Sequence, residues 1–318
     1  MIIVYRNMRS LSFAAAFLAT TLASVKAYSL VDTYSGSTFF DAFTFFTGAD
    51  PTNGFVDYVD ASTASSAGLT QVNNNIVYIY ADNKTVASSA GRQSVRITSN
   101  KSYNLGLFLF DVNHVPYGCG TWPAMWLVGP NWPNSGEIDI FEGVNLQSVN
   151  QMTLHTQEGC TMPSSRNQEG TSATFNCWID APGQSSNAGC GVTDSQASSY
   201  GDNLNNGGGG VYATQWGSDG IYIWWYPRNG IPADITSGAP DPSTWRSPDA
   251  AFPLGSSCPN DFFANQQIVV DLTFCGDWAG NVYSTSGCPG SSCQDYVQNN
   301  PSAFDDAYWS INSFKVYQ

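Results

Sequence analysis

What most constrains the fold of this chain is a rhythm. Short runs of β-branched and aromatic residues recur, each closed by Gly, Asn, Ser or Pro. No amphipathic helical period of comparable strength follows residue 27. The runs are 76–81 (IVYIYA), 94–99 (SVRITS), 105–112 (LGLFLFDV), 124–128 (AMWLV), 152–157 (MTLHTQ), 221–226 (IYIWWY), 267–274 (QIVVDLTF) and 311–317 (INSFKVY). Many strands without a strand–helix alternation predict an all-β sandwich. Long polar loops, notably 163–200 and 231–253, join the strands, and 207–210 (GGGG) reads as a loop, not a linker. With 42% hydrophobic and only 11% charged residues, the chain can bury a core and lacks the charge density of a disordered one. One domain over 28–318 is expected.

The first 27 residues read as a secretory leader. Arg6 and Arg9 precede an uncharged apolar run at 11–25, and small residues, Val25 and Ala27, flank Lys26 at the cleavage end. The run is short for a bilayer span, which needs about 20 residues, and no later stretch could cross a membrane. All eight cysteines follow it, so four disulfides in an extracellular protein are expected. Zinc is disfavoured: there is no C-x₂-C pair, and the two histidines, His114 and His155, stand far apart in sequence. Asn83-Lys-Thr and Asn100-Lys-Ser are glycosylation acceptors. A net charge of −14 excludes nucleic acid as a partner, because phosphate binding needs clustered Lys and Arg. A neutral or cationic partner remains compatible. The expected state is a secreted monomer with no metal and no cofactor.

Residues 136–143 read GEIDIFEG. In a strand, side chains alternate faces, so Glu137 and Asp139 share one face, and Ile138 and Ile140 share the other. Glu142 lies five residues from Glu137, and a regular strand would turn it towards the isoleucines. One extra residue, a β-bulge near Ile140–Phe141, restores the parity and puts all three acids on one face. The two glutamates then stand roughly 13 Å apart at Cα, and leaning side chains could bring the carboxyls within about 5–6 Å. Retaining glycosidases hold their two carboxyls about 5–5.5 Å apart; inverting ones leave roughly 6.5–9.5 Å for a water. The charge of Asp139 between them would keep one glutamate protonated as an acid. A solvated strand face and a calcium site built from three hard oxygens are the competing readings of the same residues.

The motif resembles the E-x-D-x-x-E signature of glycoside hydrolase family 16, the laminarinase and lichenase group. The likeness extends through CGTWPAMW (119–126), NWPNSGEIDIFEGVN (131–145), MTLHT (152–156), SYG (199–201), DLTFCGDWAG (271–280), the 300–309 tail and the final VYQ, which look like the fungal endo-1,3(4)-β-glucanase branch. The resemblance implies a concanavalin A-like β-jelly-roll with an open cleft. It also implies retaining hydrolysis of internal β-1,3 or mixed β-1,3/1,4 bonds in β-glucans. By the motif, Glu137 matches the nucleophile, Asp139 the assisting carboxylate and Glu142 the acid/base; the spacing alone does not order the two glutamates. His155 alternates with Met152 and Leu154, so it faces away from the apolar side, and the family places it beside the acid/base. Sugar rings pack C–H faces on aromatics. Trp132 and Trp278 are therefore the favoured cleft tryptophans, with Trp122 intermediate and Trp126 assigned to the core. Arg92 is a candidate donor to sugar hydroxyls. No role is assigned to His114. A lectin on the same scaffold, or a transglycosylase sharing the covalent intermediate, are the alternatives; a serine hydrolase is disfavoured because no G-x-S-x-G occurs.

Overall fold

The computed structural model describes Met1, Ile2 and residues 28–318. The expected leader spans residues 1–27, and all of it but Met1 and Ile2 lies outside the described residues. Among the described residues no helix is long and apolar enough to cross a membrane.

Two antiparallel sheets pack face to face, as the strand rhythm predicts. The sheet that carries the GEIDIFEG motif runs, edge to edge, Thr171–Ser172, Cys190–Thr193, Gln151–His155, Glu137–Glu142, Thr121–Val128, Gln266–Phe274, Arg96–Tyr103 and Phe43–Phe45. The second sheet runs Ala250–Pro253, Gly220–Pro227, Gly210–Trp216, Gly106–His114, Tyr308–Tyr317, Ile76–Tyr80 and Thr70–Asn73, with Leu30–Tyr34 also paired to Tyr308–Tyr317. Each of the eight runs read from the sequence carries a strand. The strand at Gly210–Trp216 was not among them. Its faces are both covered: Val211 and Ala213 lie under an outer cluster with Leu109, Trp224 and Ile235, while Tyr212 and Trp216 enter the main core. It therefore shows no clean apolar–polar alternation.

The core lies between the sheets, where Met125, Leu127, Ile138, Ile140, Ile268 and Val270 meet Phe108, Phe110, Trp225, Trp309 and Phe314. Burial of this kind supplies about 25 cal/mol per Å² of apolar surface and is the main stabilising term. All eight cysteines are paired: Cys119–Cys288, Cys160–Cys258, Cys177–Cys190 and Cys275–Cys293. Two of these, Cys160–Cys258 and Cys177–Cys190, tie the 156–190 loop to its surroundings beside the Gln151–His155 strand.

Candidate active site

The odd gap in E-x-D-x-x-E is a bulge. Asp139 lies opposite Trp126 on the neighbouring strand, but Phe141, two residues on, lies opposite Met125, one residue on. The other neighbour shows the same slip: Asp139 faces Thr153 and Glu142 faces Gln151. Ile138, Ile140 and Phe141 are all fully buried in the core. Phe141 stacks on Tyr200 at 5.0 Å and meets Tyr212 and Trp309 edge-on at 5.5 and 5.3 Å. The acids are left on the opposite, open face.

A bulge leaves backbone groups without ladder partners. Here the buried side chain of Asn150 replaces them. The Glu142 N–H donates to Asn150 Oδ1 at 2.9 Å, and Asn150 Nδ2 donates to the Ile140 carbonyl at 2.8 Å. The flanking glycines have local reasons. Gly136 has φ +73°, and a Cβ there would meet Phe263 at 2.4 Å; a Cβ on Gly143 would strike the Tyr200 ring at 2.5 Å.

Asp139 is buried, while Glu137 and Glu142 are half-buried. Trp122 Nε1 donates to Glu142 Oε1 at 2.8 Å. His155 Nε2 stands 3.2 Å from Asp139 Oδ2. The two atoms are close but not aligned for a hydrogen bond: Asp139 Oδ2 has no hydrogen-bond partner, and neither has the other ring nitrogen, His155 Nδ1. Burial, and then the charge of Asp139, push the Glu137 carboxyl up to about 8, against the opposing pull of His155 and Trp132. Burial also raises Asp139, with Asp271 adding to the shift and the bond to Glu137 opposing it. Glu142 is raised well above the usual carboxylate range by burial and by Asp139, with the Trp122 N–H opposing. Burial and mutual repulsion therefore favour the protonated form over the ionised one in this cluster, and Asp139, bonded to Glu137, is placed to share a single proton with it.

The ligand atoms of Glu137, Asp139 and His155 lie within 4.8 Å of one another. Geometrically they could hold one cation, and a set containing an imidazole suits a transition metal better than calcium.

The aromatic candidates divide. Trp132 is 43% exposed and close enough to Glu137 to favour its ionised form. Trp122 and Trp278 are half-buried and meet edge to face at 5.7 Å, forming one wall beside Glu142. Arg92 is not in the cleft. It is fully buried beneath the Phe304 ring at 4.6 Å, and its guanidinium donates to the carbonyls of Val297, Asp82, Thr85 and Gln298. It ties three chain segments together and has no donor left for a sugar. Trp126 is likewise not a core residue. Its Nε1 donates to Asp271 Oδ2 at 3.2 Å, and Arg96 lies 5.0 Å over its ring, both on the open face beside Asp139. Strand parity held the signal, because Trp126 alternates with buried Met125 and Leu127. Asp271 and Arg96 were also missed; a lone acid inside the apolar run QIVVDLTF marked the first of them.

A jelly-roll sandwich with three carboxylates and several tryptophans on its open face is the architecture of a carbohydrate-active β-sandwich protein. Comparison with known proteins narrows this. Residues 43–317 match the family model described as the XgeA-like, catalytic GH16 domain. The chain belongs to glycoside hydrolase family 16. It is 52% identical over 295 residues to a probable glycosidase of Schizosaccharomyces pombe, covering 92% of this chain and 70% of that protein. It is 47% identical over 299 residues to an endo-1,3(4)-beta-glucanase of Arthroderma benhamiae, covering 92% and 65% respectively. A probable endo-1,3(4)-beta-glucanase of Aspergillus niger is 48% identical over 307 residues, and the chain spans only 41% of its length. Among solved structures, Laminarinase 16A from Phanerochaete chrysosporium, with glucans in its donor and acceptor sites, superposes with a TM-score of 0.88. The two are 47% identical, over 92% of this chain and all of that one. An elongating family 16 β-1,3-glucosyltransferase superposes with a TM-score of 0.86 at 43% identity, over 92% of this chain and all of that one.

Proposed function

We propose that residues 28–318 form one catalytic domain, a retaining endo-β-glucanase acting on internal β-1,3 and mixed β-1,3/1,4 bonds of laminarin- or lichenan-type glucans. The observation that carries the reading is the bulged strand, which sets Glu137, Asp139 and Glu142 on one open face beside tryptophans. Glu142, raised by burial and by Asp139, enters the reaction protonated and donates to the leaving glycosidic oxygen. Glu137 must attack the anomeric carbon as a carboxylate. The proton it shares with Asp139 moves to Asp139 for that step, which leaves the nucleophile charged without exporting a proton from the cleft. Glu142, now ionised and stabilised by the Trp122 N–H, removes the proton of the incoming water in the second step. Trp132, Trp122 and Trp278 serve as platforms for sugar rings, and His155 acts through Asp139.

The protein is read as a secreted monomer. Asn83 and Asn100 are its proposed glycan carriers; Asn83 Nδ2 meets Asp305 at 2.8 Å and Asn100 Nδ2 the Asp41 carbonyl at 3.2 Å, contacts a glycan would replace. The test is reducing-sugar release from laminarin, lichenan and cellulose side by side, with NMR of the first product anomer. Release from the first two with the β-anomer formed first is expected. Binding without release would make the protein a lectin, and an α-anomer first would exclude the double displacement. The likeness to an elongating glucosyltransferase supports a second reading, in which a sugar replaces water as acceptor. Products longer than the starting oligosaccharide would establish it.

A further inference from the structure

The second sheet has an outer face, turned away from the carboxylates, and it carries a groove of about 300 Å³. Its floor is the buried Trp224, and half-buried Tyr222 and Trp245 form its walls. The rings are held at different angles: Trp224 and Trp245 meet edge to face at 5.1 Å, and Tyr222 lies 6.3 Å from Trp224. The indole N–H groups are fixed inside the protein, Trp224 to the Arg246 carbonyl at 2.8 Å and Trp245 to Asp234 at 2.7 Å. What the floor and the Trp245 wall offer outward is therefore ring surface, and the Tyr222 hydroxyl is engaged with Asp219 at 3.2 Å. Neutral polar groups complete the lining. Asn167 is exposed and makes no side-chain hydrogen bond among the described residues, and Gln215 bonds only Tyr28, at 3.1 Å.

The one charged lining group is already satisfied. Arg246 donates to both oxygens of buried Asp249, at 2.6 and 3.0 Å, and to the Trp225 carbonyl at 2.7 Å. No carboxylate lines the groove. An anionic ligand would meet a neutralised arginine in a chain of net charge −14, and the nearest free acid, exposed Asp219, lies outside the lining and already accepts from the Tyr222 hydroxyl at 3.2 Å. Aromatic walls with uncharged donors and acceptors suit a ligand with apolar C–H faces and neutral hydroxyls.

We propose that this groove is a second, non-catalytic binding site for neutral β-glucan, engaged by chains or particles large enough to reach both faces of the sandwich. The proposal rests on the glucanase reading for the identity of the ligand. Because the two sites lie on opposite faces, a short oligosaccharide occupies one at a time. A polymer or particle engages both and is held by the product of two contacts, not by either alone.

The experiment compares wild type, Tyr222→Ala and Asn167→Ala on laminarihexaose and on particulate β-1,3-glucan. Initial rates on the hexaose should be the same for all three. Retention on the particles should fall about two- to tenfold for Tyr222→Ala, the range one aromatic contact supports, and by less for Asn167→Ala. Equal retention for all three overturns the proposal. Asn167→Ala also serves if Tyr222→Ala folds poorly, since that side chain has no internal partner to lose. Loss of a concentration-dependent dimer in the variants, seen by light scattering, would make the groove an interface between copies and also overturn it. If wild type leaves the hexaose intact yet Tyr222 still governs particle retention, the catalytic reading fails and the groove stands.

Discussion

Replacing Glu137 with Gln should make the protein more stable, and only on the alkaline side. The carboxyl's ordinary value of 4.5 is pushed up to about 8 in the fold, first by burial and then by Asp139. The folded chain thus keeps a proton that the unfolded chain releases above about pH 4.5. With the folded value raised, the stability attached to that proton is complete below about pH 4.5. It is lost as pH rises towards 8, and beyond that the deficit is constant. The span from 4.5 to about 8 sets a ceiling of about 4–5 kcal/mol. Glu137 is only half-buried and shares its proton with Asp139, so solvent screening and sharing reduce the expected effect to about 1–3 kcal/mol. Glutamine keeps the shape, still accepts from Trp132 and can donate to Asp139 without a charge. At about 2–4 °C per kcal/mol for a domain of this size, the variant should melt about 3–10 °C above wild type at pH 8 and level with it at pH 4.5. Calorimetric melts of the two proteins at both pH values decide the matter. An equal gain at both pH values would trace the effect to packing. No gain at pH 8 would mean that Glu137 is ionised there without strain, and the proton-sharing account would be refuted.

The two glutamates should separate by azide rescue. Glu137→Ala, which keeps the acid, should yield the α-glycosyl azide from an activated β-glucoside, and Glu142→Ala the β-azide; NMR showing the anomers exchanged would reverse the roles. Asn150→Ala removes both bonds that close the bulge, so kcat should fall at least about tenfold with a stability loss of about 1–3 kcal/mol. A loss of stability with undiminished turnover would show that the bulge holds without it. Arg92→Met should cost about 3–5 kcal/mol, since it strands buried carbonyls, and should leave kcat/KM per folded molecule as in wild type. EDTA should leave glucan hydrolysis intact; recovery of a lost activity by added zinc would instead place a metal on Glu137, Asp139 and His155.

Local pattern carried far in this chain, and it stopped at long-range partnership. The parity break in E-x-D-x-x-E implied a bulge because strand alternation is a rule about neighbours, and the register slips where that rule requires. Nothing in the sequence could connect Asn150 to that bulge, because its partners are fixed by how the 143–150 turn folds back. Arg92 was ambiguous for a similar reason. An arginine's role depends on which carbonyls surround it, and two of its four acceptors lie more than 200 residues away in sequence. Trp126 was misassigned although the rule that places it was available: its neighbours Met125 and Leu127 point inward, so it points out. The Gly210–Trp216 strand escaped because its two covered faces hide the alternation.

The bulge also bears on how such a site can change over generations. Point substitutions keep the count of residues between the acids, so they alter chemistry one side chain at a time. Deleting the single codon for Ile140 does something different. It removes the slip and not the shared face: Phe141 moves into the inward place of Ile140, Glu142 follows on the outward place two residues from Asp139, and plain alternation keeps all three acids on the open side. The backbone groups that the Asn150 side chain now serves would find ladder partners instead, and one buried apolar side chain would be lost from beneath the motif. Descendants can therefore retune each acid gradually, while the interval between them changes only in a single step. A two-residue interval runs as an ordinary strand, and a three-residue one needs an asparagine from another turn to hold it open.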